Sequence, residues 1–559
     1  MRFQPKLLST LKNYSKEQFY ADLMAGIIVG IVALPLAIAF GIASGVTPEK
    51  GLFTAVIAGF IISFLGGSKV QIGGPTGAFI VIVYGIVQEF GVAGLAVATM
   101  IAGVMLIAMG LLKLGSVIKF IPFPVVVGFT SGIALTIFTT QVKDLLGMQT
   151  GELPGDFIHK WVTYGQFIHT INPWAVGVGV ASVAIIALTP KFSKKIPGSL
   201  IAIVLVTVVV YFLKNKFGIQ GIETIGDRFT INAALPSANT PEISFAVIEK
   251  LLPTAFTIAM LGAIESLLSA TVADGVIGDK HNSNTELIAQ GVANVVTPIF
   301  GGIPATGAIA RTMTNINNGG RTPVAGLIHA VVLLLIMLFL GDLTKHIPMA
   351  CLAGVLVIVA YNMSEWRTFK ALMKNPKSDV AVLLATFLLT VIFDLTIAIE
   401  IGLLLAVILF LRRISETTTI SVFKDEVDEV EYAENNQDTE RLVLPKGVEV
   451  YEIEGPFFFG VASRFEETMK QIGDKPRVRI IRMRKVPFID STGSHNLENL
   501  IRMSAKDKTQ ILLSGVTENV RSVLVKVGIE NLLGAENICS NINEALTRAE
   551  QLIGKNSEK

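Results

Sequence analysis

Two short phrases interrupt an otherwise apolar chain. Both are made of residues that can hold an anion without a charged ligand. The first is Gly-Gly-Pro-Thr-Gly-Ala-Phe at 73–79, and the second is Gly-Gly-Ile-Pro-Ala-Thr-Gly-Ala-Ile-Ala-Arg at 301–311. Each contains a proline, then Thr-Gly-Ala, and each leads into a short apolar run, 76–87 and 308–317. Proline and glycine interrupt a helix. A helix that restarts behind them leaves its first N–H groups without intrahelical partners and carries a partial positive charge. Two such N-termini facing each other form an anion cradle. Thr76 and Thr306 add hydroxyls at the helix starts, and Gly77 and Gly307 allow close backbone approach. Only the second phrase ends in a charge, Arg311.

The elements that must position these phrases are membrane helices. Of 559 residues, 51% are hydrophobic and 16% charged, and mean hydropathy is +0.62. A soluble domain carries about 25% charged residues. A spanning helix needs ~20 mostly apolar residues. Runs of this kind lie at 23–44, 51–65, 91–112, 121–142, 174–189, 200–213, 247–272, 288–300, 324–340, 347–361, 380–393 and 395–411. The two short segments bring these twelve to fourteen, standing third and tenth. The chain thus reads as two halves of seven with a broken element at the same place in each. Seven is odd, so the second half runs oppositely through the bilayer. Paired, interrupted segments in such an inverted repeat mark a transporter's binding site.

Charge sets the orientation. Arg2, Lys6, Lys12 and Lys16 begin the chain. Lys113 with Lys119, Lys191 with Lys194 and Lys195, Arg367 with Lys370, Lys374 and Lys377, and Arg412 with Arg413 then all fall on the same side. By the positive-inside rule that side is the cytoplasm, with both termini there and the protein in the inner (plasma) membrane. The segment 157–171, with His159, Lys160 and His169, is expected flat at the interface.

Ionisable residues inside apolar runs are expensive. Arg311 reads either as an attractor of a substrate anion or as the partner of Glu265 or Asp274 in a structural pair. Glu265 reads as a proton- or cation-coupling carboxylate or as a member of that same pair. Asp394 and Glu400 are expected at the interface. The polar run 278–291 reads as a solvated loop and a helix start capped by Ser283 or Asn284, with Glu286 in the first turn. His281 and His346 are placed in loops, and Asn294 is marked as a residue that could touch the site.

The texture changes near Arg412. Four regions follow: an N-terminal segment 1–22, a membrane domain 23–411, a polar linker 412–441 and a C-terminal domain 442–559. In the last, alternating strand and helix patterns predict a small α/β layer fold. Cys351 and Cys539 are far apart and form no disulfide framework, zinc cluster or redox pair. No nucleotide loop, metal cluster or nucleophile constellation stands out. The sequence therefore predicts a non-enzyme without cofactor or metal, and the net charge of +2 gives no reason to expect nucleic acid.

The phrases "DLMAGIIVGIVALPLAIAFGIASGV", "GGPTGAFIVI", "GFTSGIALTIF", "LGAIESLLSATVADG", "NSNTELIAQGVANVVTPIFGGIPATGAIARTMTNI" and "IDSTG" resemble, in order and over nearly the whole chain, the SulP family, also called solute carrier family 26. Within it the wording is most similar to the bacterial C4-dicarboxylate transporter branch. The resemblance implies a fourteen-segment 7+7 fold in which a core (segments 1–4 and 8–11) moves like an elevator against a gate (5–7 and 12–14). It implies a site formed by Thr76, Gly77 and Ala78 with Thr306, Gly307, Ala308, Ile309 and Ala310, with Arg311 beside the anion and Glu265 at a position that in some relatives serves a sodium site. A small inorganic or carboxylate anion, H+ or Na+ as coupling ion, the lipid bilayer and a second copy in a homodimer are the expected partners. Pro35-Leu36 departs from relatives that place Gln or Glu after this proline, which shifts coupling toward Glu265. The C-terminal domain resembles a cytoplasmic STAS domain. There Ser491 matches a residue phosphorylated in soluble relatives, or serves with Asp490 merely to cap a helix. An uncoupled anion channel or exchanger and a nucleobase carrier remain as alternative functions, and bicarbonate and sulfate as alternative substrates.

Overall fold

The computed structural model describes residues 3–116, 121–151, 153–192, 197–219, 221–230, 238, 245–393, 395–428, 441–461 and 476–557. Arg2, Lys119, Lys194, Lys195, Asp394 and residues 462–472, where the pattern of the C-terminal domain predicts a helix, lie outside the described residues. The chain divides into two compact units, Met1–Ala406 and Val407–Lys559.

The first unit is helical. Helix α1 (Lys16–Ala43) starts where the Ser15 side chain accepts the Gln18 N–H at 3.2 Å, and α2 (Pro48–Leu65) starts with proline at its first position, where no N–H is needed. A two-residue strand β1 (Gly73–Gly74) and a turn at Gly77–Phe79 lead into α3 (Ile80–Leu111). This helix is broken at Gly91, whose φ of 69° and ψ of −176° suit only glycine at low cost. Then come α4 (Phe123–Leu146), α5 (Phe157–Gln166), α6 (Pro173–Phe192) and α7 (Gly198–Phe217). The second half begins with α8 (Phe245–Ile277) and α9 (Ser283–Val296). Strand β2 (Thr306–Gly307), α10 (Ile309–Asn317), α11 (Pro323–Thr344), α12 (Met349–Met363), α13 (Lys377–Ile392) and α14 (Leu395–Thr417) follow.

Among the described residues, nine helices are long and apolar enough to cross a membrane. Every run singled out in the sequence lies on a helix, but α9, α10 and α13, at 14, 9 and 16 residues, fall short of a full crossing, and α12, at 15, reaches that length only together with the short helix Trp366–Leu372 that follows it. The two halves are tied at the chain's beginning by Asp22. It is fully buried and accepts from the Arg321 N–H at 2.8 Å, the Thr322 hydroxyl at 2.5 Å and the Tyr14 hydroxyl at 2.9 Å. A carboxylate of α1 thus holds the start of α11.

Backbone-to-backbone contact decides how tightly α3 and α9 approach. A methyl on Gly103 would stand 2.7 Å from the Gly291 carbonyl oxygen, and one on Gly291 would stand 2.6 Å from the Gly103 carbonyl oxygen. This reciprocal small-residue contact is how membrane helices gain packing where lipid supplies no hydrophobic drive.

The second unit contains a five-stranded sheet in the order β3 (Thr419–Phe423), β4 (Val448–Glu454), β5 (Val478–Lys485), β6 (Gln510–Ser514), β7 (Ile538–Cys539). The first pair is antiparallel and the rest are parallel. Helices α15 (Ser491–Lys506), α16 (Glu518–Lys526) and α17 (Ile542–Ser557) belong to the same unit. Both sheet faces are covered. Tyr451, Ile481 and Leu513 pack with Leu497 and Leu524 on one side, and Val450, Ile480 and Leu512 pack with Ile542 and Ala549 on the other. The central strands β4 and β5 nevertheless carry charges among their apolar residues, and these are paired where buried, as in the 2.6 Å bond from Arg484 to Glu452. Residues 419–423, assigned to the linker by their polar surroundings, are the sheet's antiparallel strand.

Gly291→Ala should lower the thermal unfolding midpoint of the detergent-purified protein, costing about 1–3 kcal/mol. Gly85→Ala, where the added methyl meets nothing within 4 Å, should not lower it.

Candidate anion site

The two phrases meet. Strands β1 and β2 pair antiparallel, Gly73 opposite Gly307 and Gly74 opposite Thr306. The flanks extend the match. The Ala308 N–H donates to the Ile72 carbonyl at 2.9 Å, and the Ile72 N–H donates to the Thr312 hydroxyl at 3.0 Å. Non-helical backbone deep in a membrane protein needs such partners. Here each broken element supplies the other's.

Glycine is required on both strands for different reasons. Gly74 has φ +146°, and a methyl on it would lie 2.4 Å from the Arg311 guanidinium. A methyl on Gly307 would overlap the Gln71 amide. Gly77 is turned the other way, toward Phe40 of α1 and Val359 and Met363 of α12. Thr76 and Ala78 are buried beside it. Among the described residues the Thr76 hydroxyl has no hydrogen-bond partner, whereas the Thr306 hydroxyl donates to the Gly262 carbonyl at 2.7 Å. The matching threonines are therefore not equivalent. One supports α8, and the other keeps its donor in hand. At α10 the Ala308 N–H is already engaged. Ile309 is half-buried and Ala310 exposed at the helix start.

Arg311 is 3% exposed. It donates to the Pro75 carbonyl, and to the Gly73 carbonyl at 3.5 Å. Among the described residues no carboxylate lies within 4 Å of it. The alternative of an ion pair with Glu265 or Asp274 is thus not realised. Asp274 accepts from the His281 N–H at 2.8 Å and contacts its Nδ1 at 2.7 Å. Glu265 lines a cavity of about 20 Å³ with Val125, Phe129 and Thr130 of α4 and Ile399 and Leu403 of α14.

Three supporting residues were missed or undervalued in the sequence. Glu286, expected in a solvated turn, is fully buried. Its carboxylate accepts from the Gly67 N–H at 2.8 Å, the Ser68 N–H at 3.1 Å, and the Gln71 and Gln290 amides at 3.1 and 2.9 Å. It thereby fixes the loop that delivers β1. The α9 cap is Asn282, which accepts from Thr285, while Asn284 accepts from Gly115 instead. Asn294 brackets Ala305, donating to its carbonyl at 2.8 Å and accepting its N–H at 2.9 Å, and so aligns β2. His329, which no sequence signal marked, is fully buried, with neither ring nitrogen hydrogen-bonded among the described residues. Its ring lies 3.6 Å from where a Gly59 methyl would be, and that methyl would be 3.3 Å from the Gly73 carbonyl oxygen.

In the second unit, Asp490 caps α15, accepting the Gly493 N–H at 2.7 Å and the Phe459 N–H at 3.1 Å. Ser491 is exposed on the helix's first turn.

A multi-pass helical body whose two interrupted helices pair around a buried guanidinium, joined to a small α/β domain, defines a membrane transporter of anions. The chain belongs to the sulfate permease family, SulP/SLC26. That family matches residues 19–386, and the STAS domain matches 441–545. It is similar to the putative sulfate transporter YvdB of Bacillus subtilis, 41% identical over 550 residues, covering 97% of this chain and 99% of that protein. It is also similar to the bicarbonate transporter BicA of Picosynechococcus, 32% identical over 544 residues, covering 94% of each. In fold it matches SLC26A9 with a TM-score of 0.87 at 18% identity, covering 99% of this chain and 93% of that one. The transmembrane domain of a cyanobacterial BicA matches at 0.62 and 32% identity, covering 70% of this chain and 98% of that one.

Glu286→Ala leaves the Gly67 and Ser68 N–H groups without their acceptor. It should destabilise the protein by about 3 kcal/mol, read as a lowered thermal midpoint. Glu286→Gln, which keeps an acceptor oxygen, should recover part of the loss.

Proposed function

We propose that the chain is a secondary carrier for a small oxyanion, sulfate or bicarbonate, bound between the broken third and tenth segments of a fourteen-segment 7+7 inverted repeat. One observation carries this reading: Arg311, a buried cation with two carbonyl acceptors and, among the described residues, no carboxylate, beside two helix starts. An uncompensated buried charge is costly. A substrate anion is the counter-ion that would offset it. The Thr76 hydroxyl, together with backbone donors of Gly77, Ala78, Ile309 and Ala310, completes the cradle. The antiparallel pairing of β1 with β2 supports the inverted repeat. Transport is read as elevator-like sliding of segments 1–4 and 8–11 against the rest, in a homodimer of the inner membrane with both termini cytoplasmic and Ser491 available for phosphorylation.

Sulfate and bicarbonate stand first because the relatives above carry those anions in their names. C4-dicarboxylates, toward which the wording of the sequence leans, belong in the same uptake panel. Coupling is assigned to Glu265. Its cavity offers Thr130 as the one other side-chain oxygen amid aliphatic and aromatic groups. That setting suits a carboxyl that takes up a proton better than a sodium ion, which needs several oxygen ligands.

In proteoliposomes, Arg311→Ala should cut uptake of labelled sulfate or bicarbonate at least about tenfold, with Arg311→Lys retaining part of it. Glu265→Gln should transport without responding to an imposed pH gradient. Gradient-independent uptake by the unmodified protein would instead identify an uncoupled anion channel or exchanger. Uptake of uracil with no anion uptake would identify a nucleobase carrier.

A further inference from the structure

Within the first unit, an apolar cleft of about 550 Å³ opens between α4, α12, α13 and the short helix Trp366–Leu372. Its walls are fixed by close contacts of α4. A methyl on Gly128 would stand 2.6 Å from the Leu383 carbonyl oxygen, and one on Gly132 would stand 3.2 Å from that of Phe387, so α4 lies against the backbone of α13. The Ser131 hydroxyl donates to the Ser364 carbonyl at 2.6 Å and joins α4 to the end of α12. The short helix closes one end. There Phe369 meets Phe387 edge-on with ring centres 5.3 Å apart, and Leu372 is buried with Val127 and Leu383.

The walls suit hydrocarbon. Leu135, Phe138, Val357, Leu384, Phe387 and Leu388 present no polar side-chain atom. The polar side chains spend their donors inside the cleft: Ser131 as above, the Ser364 hydroxyl on the Tyr361 carbonyl at 2.7 Å, and the Trp366 indole N–H on the Tyr361 hydroxyl at 3.1 Å. A pocket for a polar solute presents a few convergent polar groups to its ligand; here those groups face one another.

The mouth at the short helix has a different character. Tyr361 and Trp366 are both exposed there, and these residue types favour the membrane–water boundary. The Arg367 guanidinium stands 5.6 Å from the centre of the Trp366 ring, within cation–π range. Lys370 lies one turn beyond Trp366, Lys374 follows, and Lys377 begins α13; all four cationic residues are exposed. Among the described residues none of the four has a carboxylate within 4 Å. The acids in the same stretch are Glu365 and Asp379, so cations outnumber them.

We infer that this cleft is a binding site for an anionic phospholipid, with an acyl chain between α4, α12 and α13 and the headgroup phosphate against Arg367 and Lys370. The bilayer would fill an apolar cleft with any lipid, and the unpaired cations at its mouth select a negative headgroup. A second copy of the chain would also cover the apolar walls, but it would have to desolvate those cations, which is costly without partners. The inference goes beyond the carrier reading and holds whichever anion is carried. In the elevator reading α4, α12 and α13 are segments 5, 12 and 13, so the lipid would brace the part against which the core slides.

The test uses full-length protein carrying Trp161→Phe and Trp174→Phe, which leaves Trp366 as the single tryptophan. It is reconstituted in phosphatidylcholine with rising fractions of phosphatidylglycerol or phosphatidylcholine brominated near the glycerol end of the chain. Quenching of Trp366 should reach half its maximum at an about tenfold lower fraction of the brominated phosphatidylglycerol. High salt should narrow this gap in the same protein. Arg367→Gln with Lys370→Gln should close it and leave quenching by brominated phosphatidylcholine as it was. Equal quenching by the two lipids at low salt, or a gap that survives the double substitution, overturns the site. Competition by glycerol 3-phosphate, which has the headgroup's charge and no chain, would mark a free-phosphate site and also overturns it. No quenching by either lipid, with a dimer measured by light scattering, would make a second copy the occupant and likewise overturns it.

Discussion

At membrane depth, a backbone that leaves the helix must bring its own hydrogen-bond partners, because lipid supplies none. Everything around the candidate site follows from how this chain meets that demand. Gly73–Gly74 and Thr306–Gly307 give up helical bonds and recover them from each other. The pairing brings two helix starts side by side, forces glycine where Arg311 and Gln71 pass, and leaves Thr76 with an unspent hydroxyl. A two-residue ladder is a weak structure alone. It holds because its surroundings are fixed on both sides, the β1 loop by Glu286 and the β2 approach by Asn294.

The buried charges of the first unit sort by what satisfies them. Asp22 and Glu286 are taken up by N–H and O–H donors, and each ties a segment of one half to a loop of the other. Asp274 is answered by His281. Arg311 meets only neutral carbonyls among the described residues, as does Lys160. The structural carboxylates behave as internal caps, while the Arg311 guanidinium, buried against two carbonyls, keeps a demand that the described protein groups do not fully meet. His329, whose ring nitrogens meet no full hydrogen bond among the described residues, adds a second buried polar group near the same strand.

Much of this was legible beforehand because glycine and proline act locally. The paired phrases announced breaks, and the breaks lie at 73–79 and 301–311 as read. Apolar runs gave the helices, though not their ends. The break at Gly91 falls where the runs 76–87 and 91–112 were read as separate segments. Long-range partners were hidden for a different reason. Glu286 sits at a helix first turn, where exposed acids are common, and only the arrival of Gly67 and Ser68 from residues far away makes it a buried acceptor. Arg311 is buried in the first turn of α10, but sequence cannot rank a carbonyl against a carboxylate as its neighbour. The strand at 419–423 was lost in a polar stretch because one short edge strand among charges carries little pattern. Asp490 behaved as the simpler reading has it, a helix cap.

The bond from Ile72 to Thr312 joins groups 240 residues apart, and the β1–β2 pairs Gly73–Gly307 and Gly74–Thr306 are almost as far apart in sequence. During synthesis the first half therefore enters the bilayer carrying an interrupted backbone whose partner has not yet been made. Neither half is complete as a folding unit, so the halves cannot mature one after the other. Final closure waits on docking of the second interrupted segment, and until then the first is an exposed polar seam, open to quality-control recognition. The feature that makes the molecule a candidate anion carrier also makes its assembly an all-or-none event late in biogenesis.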